Sequence, residues 1–317
     1  VSLTLNPNQS PAIVSMIEDT MAYAAASRAS STLSQYEGNW NIFTTFCDTH
    51  GLVALPTTPQ VASVYLSSLA KQGKSVSTVN SHLAAIKYYN EQAQHVVNWK
   101  DPILSQVVAG IQRVNARKVN KADAILIEDL VLLLSFTGKG LNGLRDRALI
   151  LTGFAGAFRR SELVALTLEN TEIENRGMVL RLDKSKTDQE GKGADIAIPF
   201  AQNADLCPVR AVQAWLKASG ITQGPLFRRV TKGGTLGEEA LSEDSVRFIL
   251  TKLVSLAGLD GKYSPHSLRA GFCTQAAMSG KAMEQIARHA RHSNPKTTMG
   301  YVRVAERFAN HAGDGLM

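Results

Sequence analysis

The chain has 317 residues, 44% hydrophobic and 19% charged, with a net charge of +7 at pH 7. That composition excludes a disordered chain. The longest mostly apolar run, Ala148 to Phe158, falls short of the ~20 residues a membrane-crossing helix needs. Cys47, Cys207 and Cys273 are few, odd in number and far apart. They argue against a disulfide framework and suit a reducing compartment, with the cytoplasm as the expected location.

In chain order, the opening VSLTLNPNQSP lacks the basic-then-apolar order of a leader, and residues 1–26 are expected to form a flexible arm. Residues 27–115 read as a helical domain. ASSTLSQYEGNWNIFTTFCDTHG, TPQVASVYLSSLAKQG and SVSTVNSHLAAIKYYNEQAQ carry apolar residues at spacings of three and four. Thr58 and Pro59 make a helix start and Gly73 an end. In the third segment Val79, Leu83 and Ile86 share a face, while Ser77, Asn80, Ser81 and Lys87 lie off it. Small polar groups of this kind are ordinary solvated surface, and also what a helix lying in a DNA major groove presents.

Residues 1–115 hold six basic and six acidic side chains, so the whole positive excess lies beyond them. Such a field attracts polyanions, nucleic acid among them. The polar, basic stretch around residues 116–123, with Arg117, Lys118 and Lys121, reads as a linker. It is followed by a second, mostly helical domain over 124–317. There IEDLVLLLSFTG and LRDRALILTGFAGAFRRSELVAL read as helices, the second apolar on nearly all sides and so deeply buried. The alternation of Met178, Leu180 and Leu182, resumed at Ile196 and Ile198, predicts a β-hairpin with a long polar turn. From Pro208 onward the pattern is helical again.

Several constellations here can carry chemistry. Arg159 and Arg160 are adjacent, and neighbouring helical residues point about 100° apart, so only one of them can face inward. Glu162 stands where it can hold the Arg159 guanidinium. In SPHSLR, Ser264 and Pro265 form a helix start. They place His266 and Arg269 on one face of the first turn, where backbone N–H groups, an imidazole and a guanidinium would meet a phosphate. Lys184 and Lys186 share strand parity at the hairpin tip, and either could deliver a proton to a leaving oxygen. His289 and His292 share a helix face, but no HExxH, CxxC or carboxylate cluster accompanies them, so a metal site is not expected.

Taken in order, RRSEL, a hairpin lysine, HSLR, a second histidine and Tyr301 nine positions later resemble the tyrosine recombinase (phage integrase) family. The resemblance spans roughly residues 27–305 and is dense after residue 144. It implies a mainly α fold: a helical N-terminal core-binding domain and a mostly helical catalytic domain with a small antiparallel β-sheet. It also implies a catalytic set of Arg159, Lys186, His266, Arg269, His292 and the nucleophile Tyr301, with Glu162 in support. Lys186 is preferred to Lys184 only because SKT is similar to the family pattern. GKSVSTVNSHLAAIKYY is similar to the family's DNA-reading helix. Lys74, Ser77, Asn80, Ser81, Arg117, Lys118, Lys121 and Lys184 are therefore candidate DNA contacts.

The implied activity is cleavage and rejoining of double-stranded DNA through a 3′-phosphotyrosine, with strand exchange between two sites by a homotetramer. It needs no cofactor, metal, membrane or small-molecule substrate. The alternatives are a type IB topoisomerase or telomere resolvase, and a non-catalytic basic DNA-binding protein. One departure stands out: Arg291 occupies the position before His292 where the family usually has glycine. It is expected to alter the local backbone or to add a phosphate contact. Beyond Tyr301, Val304, Phe308 and Ala312 make an apolar stripe that could fold back or dock on a neighbouring protomer.

Overall fold

The computed structural model describes residues 11–116, 122–183 and 193–305. The chain divides into two compact units, residues 1–119 and 120–317. Lys184, Lys186, Arg117, Lys118, Lys121 and the tail from residue 306 lie outside the described residues.

The first unit is helical among its described residues. Residues expected to belong to a flexible arm form α1 (Pro11–Ala26). It is followed by α2 (Ser30–His50), α3 (Pro59–Lys71), α4 (Val76–Gln92) and α5 (Pro102–Val114). The starts are set by local chemistry. The Thr58 hydroxyl accepts from the Val61 N–H at 3.2 Å, and the Ser75 hydroxyl accepts from the Thr78 N–H at 3.1 Å. An Asp101 carboxylate oxygen accepts from the Ile103 and Leu104 N–H groups. Each satisfies donors that a helix leaves unpaired.

The core joins Phe43, Tyr65, Leu66, Ile86 and Leu104, and each such burial contributes roughly 1.5–3 kcal/mol. Apart from the Thr57 hydroxyl, which has no partner among the described residues, its buried polar side chains are paired, as burial demands. The Tyr65 hydroxyl lies 2.8 Å from His82 Nδ1, and Asn90 bridges the Ile86 carbonyl and the Thr57 N–H.

The second unit begins with α6 (Ile127–Ser135), α7 (Leu141–Ala155) and the short α8 (Arg160–Val164). Strands β1 (Thr171–Glu174), β2 (Gly177–Leu182) and β3 (Ala194–Pro199) form one antiparallel sheet in that order. The expected hairpin is the β2–β3 pair, with Leu180 opposite Ile196 and Met178 opposite Ile198. Strand β1 has one large apolar residue, the exposed Ile173, and so gave no alternation to read.

Then come α9 (Pro208–Ser219), β4 (Arg228–Val230), β5 (Leu236–Ala240), α10 (Glu243–Leu256), α11 (His266–Met278), α12 (Met283–Ala290) and α13 (Pro295–Ala305). The β4–β5 hairpin corrects the helical expectation after Pro208. Its strands are short and mostly polar, below the length at which a period can be recognised. Trp215 of α9 is wholly buried and donates its indole N–H to the Leu226 carbonyl at 2.8 Å. The architecture is therefore mainly α, with small antiparallel sheets confined to the second unit.

A second correction matters more. The segment read as one helix across residues 144–166 is broken between α7 and α8. The Ala157 N–H donates to the Phe154 carbonyl and the Phe158 N–H to the Gly153 carbonyl. This is the Schellman pattern of a helix end, with Ala157 at φ +46° in the left-handed position where glycine is usual. Phe158 is thereby turned into the core, 2% exposed. Arg159 becomes the residue that opens α8.

The start of α11 differs in detail from the expected serine cap. Pro265 precedes the first helical residue, and the Ser267 hydroxyl accepts from the Ser264 N–H at 3.0 Å. What seats α11 is Gly271. A Cβ there would stand 1.8 Å from the Ile125 carbonyl oxygen, while the Ile125 N–H donates to the Ser267 carbonyl at 3.1 Å. Backbone against backbone leaves no side chain to yield. Gly271→Ala is therefore expected to destabilise the chain by about 3 kcal/mol or more, read as a lower urea midpoint. An unchanged midpoint would contradict this packing.

Candidate active site

Five elements of the second unit converge on one cluster. From the α7–α8 break come Arg159 and Glu162, from α11 His266 and Arg269, and from the end of α12 Arg291 and His292. Tyr301 comes from α13.

The foundation is the C-terminal end of α7 and the turn that follows it. Carbonyls at a helix end lack intrahelical partners and carry the negative end of the helix dipole, so cations are favoured there. Arg269, 2% exposed, donates through Nη1 to the Ala157 carbonyl at 2.7 Å. Arg291 donates through both terminal nitrogens to the Gly156 carbonyl at 3.1 Å, and through Nη2 to the Ala157 carbonyl at 3.0 Å. His289 stacks on Phe272 and donates through Nε2 to the Ala155 carbonyl at 2.8 Å. This turn holds its shape only with a small residue at 156, because a Cβ there would lie 2.0 Å from the Phe158 ring.

Glu162, 4% exposed, is the cluster's one carboxylate among the described residues. Its Oε1 accepts from Arg159 Nη1 at 2.5 Å, and its Oε2 from the Arg159 backbone N–H at 2.9 Å and from Arg291 Nη2 at 3.0 Å. Burial alone would push this carboxyl up. Arg291 and Arg159 more than offset that and hold it below the usual carboxylate range.

The choice between the two adjacent arginines is plain in the geometry. Arg159 faces the cluster, and Arg160 turns away to an ion pair with Glu243 at 2.7 Å. Burial, with repulsion from Arg159 and Arg291, lowers Arg269 to about 10, so it stays charged at neutral pH. Three guanidiniums against one carboxylate leave a surplus of two positive charges at a largely buried site.

Helix α12 ends as α7 does. The Arg291 N–H donates to the Arg288 carbonyl and the His292 N–H to the Ala287 carbonyl. Arg291 takes the left-handed position at φ +55°. That geometry turns His292 inward. Its Nδ1 lies 2.8 Å from the Thr298 hydroxyl, and its Nε2 is buried without a hydrogen-bond partner among the described residues. A buried orphan polar atom is costly unless a ligand satisfies it.

Asn294 and Pro295 start α13, with the Lys296 N–H donating to Asn294 Oδ1 at 2.9 Å. The helix carries Tyr301 back so that its ring stacks on His292, centroids 5.9 Å apart. The Tyr301 hydroxyl lies 3.1 Å from His266 Nε2. Burial and Cys273 push the phenol up, and Arg269 partly counters them. Tyr301 and His266 also line an open pocket of about 390 Å³ together with Lys296 and Thr297.

The structure thus brings together Arg159, Glu162, His266, Arg269, His292 and Tyr301, while Lys186 lies outside the described residues. His266, expected beside a phosphate with Arg269, is instead directed at the tyrosine hydroxyl. In the first unit, Lys74 is exposed just before α4, and Ser77 and Asn80 are exposed on it, whereas Ser81 accepts from Asn39 Nδ2 at 3.0 Å. Thr298 and Lys296 escaped the sequence reading. The available signal was that both fall within two turns of Tyr301 on the same short helix.

The family described as the phage integrase family matches residues 125–307. An integrase/recombinase XerD homolog of Selenomonas ruminantium is 38% identical over 291 residues, covering 90% of this chain and 85% of its own. The chain belongs to the phage integrase family, the tyrosine recombinases. A tyrosine recombinase XerC of Pelotomaculum thermopropionicum is 27% identical, covering 80% of this chain and 79% of its own. Two solved structures share the fold. The Tn1549 transposon integrase in complex with transposon right end DNA has a TM-score of 0.62 at 16% identity, covering 89% of this chain and 92% of its own. A lambda integrase dimer bound to a core site has 0.60 at 14%, covering 93% and 82%.

Within this cluster, His292 gives a pH signature. Burial, with repulsion from Arg269, Arg159, His266 and Arg291, lowers it from 6.5 to about 4, so it is neutral at pH 7. Between those values the unfolded chain holds more protons than the folded one. Stability from this residue is therefore complete above about 6.5 and is lost as pH falls toward 4. Urea midpoints measured at pH 7.5 and 4.5 should differ less in His292→Gln than in the unaltered chain. An identical difference would contradict a buried neutral imidazole.

Proposed function

We propose that this recombinase cleaves and rejoins double-stranded DNA at a specific site, with Tyr301 as the nucleophile. The observation that carries the reading is a phenol 3.1 Å from an imidazole, in a cluster with the buried Arg269 and the partly buried Arg159, both anchored before any DNA arrives.

The Tyr301 oxygen attacks phosphorus, forming a phosphotyrosine at the 3′ side as the bond to the 5′ oxygen breaks. His266 Nε2 is placed to take the phenolic proton. A base is needed there, because burial holds the phenol above its ordinary range. The attacked phosphate gains negative charge on its non-bridging oxygens. Arg159 and Arg269 supply preorganised positive charge to meet it, and His292 Nε2 supplies a further donor. Lys186 protonates the leaving 5′ oxygen. Because the phosphotyrosine conserves the energy of the broken bond, rejoining needs no nucleotide.

In the first unit, Ser77 and Asn80 on α4 and Lys74 just before it read bases; the basic residues 117, 118, 121 and 184 hold backbone phosphates. Exchange between two sites takes place in a homotetramer in the bacterial cytoplasm. The domain roles are core binding for residues 27–115 and catalysis for 124–317. The family match and the XerD homolog support exchange over the topoisomerase alternative.

The test is incubation with sheared genomic DNA of the source organism, followed by recovery of protein–DNA adducts that survive denaturant. Wild type should give an adduct at a defined sequence and Tyr301→Phe none. Arg269→Ala should slow its formation by about 100-fold or more. An adduct persisting in Tyr301→Phe, or none from wild type, would overturn the reading.

A further inference from the structure

Arg291 is a third guanidinium at the site, and its contacts differ from those of the other two. Its side chain is 10% exposed and lies over the Phe158 ring, 5.0 Å from the centroid. Its terminal nitrogens are taken up by the carbonyls of Gly156, Ala157 and His289 and by Glu162 Oε2. Only its Nε is buried without a hydrogen-bond partner among the described residues. The contacts of its terminal nitrogens are all internal to the protein. The backbone effect is real, with a non-glycine residue in the left-handed position.

The same residue meets Arg159 twice. Its carbonyl accepts from Arg159 Nη2 at 3.2 Å, and its guanidinium holds the second oxygen of the carboxylate that accepts from Arg159 Nη1. Arg159 is thus gripped at both terminal nitrogens by groups that Arg291 provides or fixes. Resting on the catalytic reading above, we propose that Arg291 is a positioning residue that aims Arg159 at the scissile phosphate through Glu162 and its own carbonyl. It also welds the end of α12, and hence His292, to the turn after α7.

A merely structural Arg291 would act on stability and leave the chemistry of cleavage alone. The two are separated by single-turnover adduct formation on the duplex recovered with wild-type protein, measured across pH, beside DNA affinity and thermal melting. Arg291→Gly relaxes the left-handed backbone and removes the guanidinium. It should bind that duplex within about threefold of wild type yet form the adduct about 10- to 100-fold more slowly, the loss expected for a misaimed contact.

The pH profile adds a second readout. The charged groups facing Glu162 are Arg159, Arg291 and, through space, Arg269. Removing Arg291 lets burial raise the Glu162 carboxyl, so it protonates sooner as pH falls and Arg159 loses its partner. The acid limb of the rate should move to higher pH in Arg291→Gly. Arg291→Lys keeps a charge beside Glu162 but cannot fork onto two carbonyls. It should restore the acid limb while leaving the rate below wild type, and it carries the test if the glycine variant unfolds. Adduct formation within twofold of wild type in both variants, or a slowing matched by lost DNA affinity, would overturn the proposal. Absence of a wild-type adduct would instead remove the catalytic reading beneath it.

Discussion

The site depends on one event in the backbone: helix α7 stops. Had it continued through residue 159, the carbonyls of Ala155, Gly156 and Ala157 would have closed onto amides further along. Because Ala157 takes the left-handed conformation, they stand open, and His289, Arg269 and Arg291 fill them. Two separate segments, α11 and the end of α12, are thereby pinned to one helix end. The requirement is steric as much as polar, since the turn admits no Cβ at 156 and swings Phe158 beneath Arg291. An alanine at the left-handed position is an uncommon choice that the surrounding packing must hold in place.

That anchoring resolves an electrostatic difficulty. Arg159, Arg269 and Arg291 repel one another and lose hydration on burial, as the lowering of Arg269 reflects. Water would ordinarily relieve such a cluster. Here carbonyl dipoles and the single carboxylate Glu162 do so, leaving a surplus of positive charge that only an anion can neutralise. A phosphodiester does this partly on binding and more fully as charge builds during attack, which is the differential stabilisation that lowers a barrier. His292 fits the same logic. It stays neutral because it is buried and its neighbours are cations, and its buried Nε2 keeps a hydrogen-bonding capacity that nothing described in the protein satisfies.

Much of this was legible in the sequence, for identifiable reasons. The helix start at Thr58 and Pro59 is written in side-chain chemistry within four residues. The residues of the cluster also stand in one order along the chain, which a pattern can capture. What sequence could not supply was the break after Ala155. The stretch is apolar and helical by every local measure, and its left-handed residue is an alanine, not a glycine. The role of Arg291 was hidden for the same reason. A residue that departs from a pattern signals a difference, but its contacts to Glu162 and to two carbonyls more than 130 positions away exist only in the folded unit. The β4–β5 hairpin escaped because three- and five-residue strands carry no usable period.

The central claim is that the helix end holds the cationic cluster in its working arrangement before DNA is present. A crystal structure of the Tyr301→Phe chain on its target duplex tests this most directly. The account predicts the scissile phosphate against Arg159, Arg269 and His292 Nε2, with Arg269 and Arg291 still on the Gly156 and Ala157 carbonyls. A phosphate seated elsewhere, or arginines that had left those carbonyls to reach it, would contradict the account.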